Sequence, residues 1–206
     1  MPEQHDTDTD PTIVVLASQS AARQRLLRNA HVDFEILPAN IDERDIQAAS
    51  GLKDALKIAG LLAREKAGHV SKLRPGRFVI GADQTMALGN RIFSKPVDRA
   101  AAAQQLRDLA GNTHQLHSAV AVAKDGDILF AHTGTAHMTM RDLGKDAVAR
   151  YLDLAGESVT KSVGGYRLED IGVHLFERIE GDYFTILGLP LLPLLGYLRG
   201  AKLTAI

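Results

Sequence analysis

Residues 12–17, Thr-Ile-Val-Val-Leu-Ala, are apolar and rich in β-branched side chains with no polar alternation, a pattern that predicts a strand buried on both faces. Ser20 then stands where an N-cap belongs, ahead of a helix carrying Arg23, Leu26 and Leu27. Residues 32–37 read as a second strand and residues 38–44 as a polar loop holding Asp42 and Glu43. Leu52, Ala55, Leu56, Ala59, Leu62 and Ala63 recur at the helical period, which predicts a helix over residues 52–66 with Lys66 in its last turn and Gly68 just past its end. Residues 77–83 form another buried-strand pattern, this one ending in Asp83.

The second half reads in the same way. Residues 85–93 turn through Gly89-Asn90 as a hairpin and deliver Ser94-Lys95-Pro96. Asp98 caps an Ala-rich helix whose core face is Ala102, Leu106 and Leu109. Two extended runs, residues 113–123 and 127–140, flank Lys124-Asp125-Gly126, a strong hairpin signal. A helix over residues 142–155 stops at Gly156, a glycine-punctuated stretch follows, and Pro190 opens a terminal apolar helix.

Composition narrows the class. At 206 residues and 45% hydrophobic, the chain can build its core without staples, and a net charge of −1 argues against a broad basic surface for a nucleic acid polymer. The absence of cysteine removes disulfides, thiolate nucleophiles and Cys-ligated zinc. No apolar run is long enough for a membrane span, and residues 1–10 are acidic and polar. The expectation is a disordered tail over residues 1–10, a single domain over residues 11–206 and a cytoplasmic location. His114 and His117 are three apart and His132 and His137 five apart, so on regular strands each pair points to opposite faces and cannot easily share a metal.

Three places carry candidate chemistry. The junction at Ser18, Ser20 and Arg23 aims backbone N–H groups, two hydroxyls and a cation at one spot, which suits a phosphate, although the motif alone reads more readily as an ordinary capped helix. Lys66 either complements a negative helix end or meets a phosphate. Asp83, followed by Gln84 and Thr85, lies where open α/β sheets put their ligands.

Taken together, Ser18-x-Ser20-x-x-Arg23-x-x-Leu-Leu27, Asp42-Glu43, Lys66-Ala67, Gly81-Ala-Asp83, Lys95-Pro96 and the segment from Glu180 to Pro190 resemble the Maf family of septum-formation-associated nucleotide pyrophosphatases. The resemblance implies a mixed twisted α/β sheet with flanking helices, two lobes around a deep cleft, and a homodimer. It implies metal-dependent hydrolysis of a nucleoside triphosphate to the monophosphate and pyrophosphate. Under it Asp83 is the catalytic residue, Glu43 and Asp83 ligate Mg²⁺ or Mn²⁺, and Ser18, Ser20, Arg23, Lys66 and Lys95 bind phosphate. The family signature continues Ser-x-Ser with Pro-Arg-Arg, whereas this chain has Ala21-Ala22-Arg23. Ala22, Gln84 and Glu169 stand where the thymidine and uridine branch has an arginine, a threonine and a glutamine, and the Gln and Glu are similar to the branch acting on 7-methylguanosine triphosphate. Pyrimidine triphosphates are the second expected substrates, and a nucleotide-binding regulator of septation without turnover is the alternative from another class.

Overall fold

The computed structural model describes residues 13–204, so the tail expected over residues 1–10 lies outside the described residues. Seven strands form one mixed sheet in the order β2, β1, β3, β5, β6, β7, with β4 paired to β3 beside β1. The strands are β1 (Val14–Leu16), β2 (Phe34–Ile36), β3 (Val79–Leu88), β4 (Arg91–Phe93), β5 (Thr113–Lys124), β6 (Asp127–Met140) and β7 (Phe176–Glu180). The helices are α1 (Ala21–Asn29), α2 (Glu43–Ser50), α3 (Ala55–Leu73), α4 (Arg99–Leu109), α5 (Lys145–Ala155), α6 (Tyr183–Ile186) and α7 (Leu191–Gly200). The mixed sheet with flanking helices agrees with the fold class expected from the sequence.

Helix α3 lies along the sheet through a stripe of alanines on its buried face. Ala59, Ala63 and Ala67 pack on Ala119, Ala121 and Ala123 of β5, and Gly81 of β3 faces the backbone of Ala63 and Ala67. Small residues on both surfaces let helix and sheet approach closely. On the opposite face, Leu26 and Leu27 of α1 join Leu194 and Leu198 of α7 over Val14, Ile80 and Val120. A second core gathers α4 and α5 around Met86, Met138 and Tyr166.

Three boundaries differ from the sequence reading, and each moves a candidate residue. Helix α3 begins after its cap Asp54 and runs to Leu73, so Gly68 is inside it and Lys66 lies two turns before its end. Complementing a negative helix terminus is thereby removed as an account of Lys66. Residues 38–44 are a loop only in part, because Asp42 caps α2 with Oδ1 accepting from the N–H groups of Arg44 and Asp45, both at 3.0 Å. Glu43 is therefore the first residue of a helix. Strand β3 does not end at Asp83 but continues to Leu88, since its partner changes along its length. Parallel pairing with β1 covers Val79 and Ile80, and antiparallel pairing with β4 covers Met86 to Leu88.

Candidate active site

The change of partner opens a break in the pairing of β3. Strand β1 approaches from one end and stops with Leu16 opposite Ile80; β4 approaches from the other and stops with Phe93 opposite Met86. Between these stops, residues 81–85 keep their β5 neighbours, with Asp83 opposite Ala119. The chain segments leaving β1 at Ser18 and β4 at Ser94 both depart beside this bare stretch. Pleat alternation then divides the side chains, sending Asp83 and Thr85 toward α3 and Gln84 toward α6.

On the α3 side, Lys66 Nζ stands 2.7 Å from Asp83 Oδ1 and 2.8 Å from Glu43 Oε1. Lys66 and Asp83 are both buried, whereas the Glu43 side chain is half exposed. The ammonium has three donors and spends two here. Asp83 Oδ2 accepts no hydrogen bond among the described residues. Thr85 Oγ1 donates to the carbonyl of Ala55 at 2.8 Å and anchors the start of α3 to the same strand.

Arg23 crosses the break itself. Its Nε donates to the Gly188 carbonyl at 2.8 Å, and its Nη1 donates to the Ala82 carbonyl at 2.9 Å and to Ser18 Oγ at 3.1 Å. Neither N–H of Nη2 has a partner among the described residues. Burial pulls this guanidinium below its ordinary pKa, and the nearby carboxylates of Asp83 and Glu43 push the other way. Ser20 is the N-cap expected of it, accepting from the Arg23 N–H, and Ser18 Oγ accepts from the Ser20 N–H at 3.2 Å. The structure thus brings Ser18, Arg23, Glu43, Lys66 and Asp83 to one place. Lys95 is not tied into that cluster; it is exposed two residues past β4, with no ion pair among the described residues.

The three base-selective candidates fall in two places. Ala22 is half-buried on α1, and Arg25, one helical turn along, reaches Glu169 Oε1 at 3.1 Å. Arg167 Nη2 meets the same oxygen at 3.0 Å. Burial would raise the Glu169 carboxyl, but a backbone hydrogen bond and the two arginines outweigh it and hold the group below the usual carboxylate range. Gln84 is committed elsewhere: its amide nitrogen donates to Ser118 Oγ at 2.8 Å and to the carbonyls of Thr185 and Ile186. Ser118 Oγ donates in turn to the Thr185 carbonyl at 2.6 Å.

These contacts give a structural role to the segment between Glu180 and Pro190. Asp182 caps α6 by accepting from the N–H and hydroxyl of Thr185, and the carbonyls of Thr185, Ile186 and Gly188 then brace Gln84 and Arg23. Gly188 has φ +93°, a conformation that glycine adopts without strain. Ser118, Thr185, Gly188, Arg25 and Arg167 were not singled out by sequence reasoning. Backbone acceptors leave no side-chain signature, and an arginine that pairs across 144 residues shows only as a surface charge.

Among the described residues, no group of three or more His, Cys, Asp or Glu converges as a metal-binding cluster, and no helix is long and apolar enough to cross a membrane. Two carboxylates within reach of one ammonium nevertheless fit a hard divalent cation that takes its remaining oxygens from water and phosphate.

The chain is also similar to proteins of known description. A nucleoside triphosphate pyrophosphatase of Rhodopseudomonas palustris strain HaA2 is 60% identical over 195 residues, spanning 95% of this chain and 96% of the relative. A protein of the same description from Bradyrhizobium diazoefficiens is 60% identical over 94% of this chain and 96% of its own. A 7-methyl-GTP pyrophosphatase of Rhizobium etli is 52% identical over 90% of this chain and 94% of its own. A family profile described as Maf-like protein matches residues 13–201, and with it the chain is shown to belong to the Maf family.

Proposed function

We propose that this enzyme hydrolyses a nucleoside triphosphate to the nucleoside monophosphate and pyrophosphate, with 7-methyl-GTP or another modified purine nucleotide as substrate. The observation that carries the reading is the Glu43, Lys66 and Asp83 cluster beside Arg23 at the break in β3 pairing. Cutting between the α- and β-phosphates requires charge neutralisation, alignment and an activated water. The third donor of Lys66 and the two N–H groups of Arg23 Nη2 are suited to phosphate oxygens. Ser18 and Ser20 order the loop that faces them, and Lys95, exposed just past β4, would have to swing inward to meet a bound triphosphate.

Asp83 Oδ2 takes the proton of the attacking water as the water oxygen bonds to the α-phosphorus. The bond from that phosphorus to the bridging oxygen breaks, and the oxygen leaves with pyrophosphate. Glu43 and Asp83 would hold Mg²⁺ or Mn²⁺, which when bound supplies positive charge to the phosphate oxygens. Glu169 selects the base, since a carboxylate accepts from the N1–H and N2–H₂ edge of guanine but meets carbonyl acceptors on uracil and thymine. Gln84 offers Oε1 as a further acceptor, and Ala22 leaves space where the pyrimidine branch carries arginine. The reading extends to one domain over residues 11–206 and a cytoplasmic homodimer, the latter checked by sedimentation.

The test incubates wild type and Asp83→Asn with plain and methylated triphosphates plus Mg²⁺ or Mn²⁺ and identifies the products. Pyrophosphate from wild type alone is expected. Orthophosphate would indicate a phosphomonoesterase, and binding without turnover would indicate a nucleotide-sensing protein. Glu169→Gln should lower the purine-to-pyrimidine ratio of kcat/KM.

A further inference from the structure

We infer that Arg25 and Arg167 are positioning residues for base selection, holding Glu169 as a one-sided acceptor whose Oε1 belongs to the protein and whose Oε2 is left for the base. The inference rests on the proposed role of Glu169 and adds what aims it. Both arginines bind the same oxygen, at 3.1 and 3.0 Å, and no side chain among the described residues donates to Oε2. The Glu169 side chain is only 13% exposed, so its carboxylate needs partners, while Arg25 at 47% sits toward solvent. Arg25 follows Arg23 by two residues on α1 and shares a face with Ala22, so the pair fastens the Glu169 segment to the helix that carries the phosphate-side arginine.

The charge balance has a consequence for selectivity. One carboxylate and two guanidiniums leave the cluster net positive, so a cationic methylated guanine gains little from the charge of Glu169 and is recognised by the donor edge it shares with plain guanine. Removing one arginine should therefore do two opposite things. The carboxylate loses its fixed direction, which weakens guanine against pyrimidine. The cluster also becomes neutral, which favours a methylated, positively charged guanine over a plain one.

The experiment measures kcat and KM for 7-methyl-GTP, GTP and UTP with wild type, Arg25→Met, Arg25→Lys, Arg167→Met and Glu169→Gln, each checked for native circular dichroism. Arg25→Met and Arg167→Met are each expected to lower the GTP-to-UTP ratio of kcat/KM by about two- to fivefold, the scale of a partly exposed ion pair, chiefly through KM. The same variants should raise the 7-methyl-GTP-to-GTP ratio, and Arg25→Lys should retain most of the wild-type pattern. Equal loss on all three substrates would show a structural role only and overturn the inference. Unmoved ratios in both arginine variants, with Glu169→Gln still shifting them, would overturn the clamp and leave the base reading standing. Unmoved ratios in Glu169→Gln would overturn both.

Discussion

Replacing Gly81 by alanine is the sharpest test of how α3 delivers Lys66 to Asp83. A Cβ at this position would stand 2.3 Å from the Ala63 carbonyl oxygen, 2.5 Å from the Ala67 nitrogen and 2.8 Å from the Ala67 Cβ. All three belong to the backbone or Cβ of α3, so no rotamer change relieves them, and the helix must retreat by about 1 Å to restore ordinary contact. Overpacking of this kind costs about 1–3 kcal/mol, and contact with unyielding backbone places Gly81→Ala near ~3 kcal/mol. The smaller unfolded-state entropy of alanine offsets only ~0.5 kcal/mol of that. For a chain of this size the net loss lowers Tm by about 5–10 °C. Thermal unfolding followed by circular dichroism reads it directly. Gly144→Ala is the control, since Gly144 has an ordinary φ of −65° and nothing within 4 Å of its would-be Cβ. A Gly81→Ala protein within about 1 °C of wild type would refute the close approach of α3 to β3.

Other outcomes follow from the same geometry. Lys66→Met removes the cation between Glu43 and Asp83 and a phosphate donor with it, so kcat/KM should fall by roughly 10²- to 10³-fold while the fold persists, as steady-state kinetics on a dichroism-checked protein would show. Gly188→Ala meets only ordinary contacts at 3.5 Å or more but strains a φ of +93°, so it should cost about 1–2 kcal/mol in urea unfolding and raise KM by displacing the carbonyl that holds Arg23. His114 is buried against Tyr166, and burial pushes its pKa down from 6.5 to about 4. The unfolded chain therefore binds this proton first as pH falls, and stability should drop between pH 6.5 and pH 4 by up to ~3 kcal/mol. Urea titrations across that window should show the slope, and His114→Gln should flatten it.

Much of this arrangement was legible in the sequence because hydrophobic periodicity and turn chemistry agree locally. The hairpin at Gly89-Asn90, the long β5–β6 hairpin at Asp125-Gly126 and the caps Ser20 and Asp98 stand as the pattern predicted. What misled was end-reading by glycine and by polarity. Gly68 looks like a helix stop, yet α3 continues over it, with Ala67, Val70 and Ser71 all buried. Residues 42–44 look like part of a loop because α2, which Asp42 caps, buries none of its side chains, so no apolar stripe betrays it. Asp83 looks terminal because the run of apolar residues ends there, whereas β3 continues by changing partners, a fact held in the pairing of distant strands. The convergence of Glu43, Lys66 and Asp83 was likewise not written in their spacing.

Mounting Asp83 in the middle of β3 fixes which kinds of change the gene can accept. The carboxylate keeps its direction through a ladder of nine consecutive pairs with β5, from Val79 with Ala123 to Ala87 with Gln115. Side chains on a strand alternate, so inserting or deleting one codon between Val79 and Asp83 would turn the carboxylate away from Lys66 and toward the α6 face. An insertion at Gly89-Asn90 changes only the tip of a hairpin and leaves that parity untouched. Length changes that spare the chemistry therefore belong in the turns, and β3 is a stretch where a protein that gains or loses one residue keeps its fold before it keeps its chemistry.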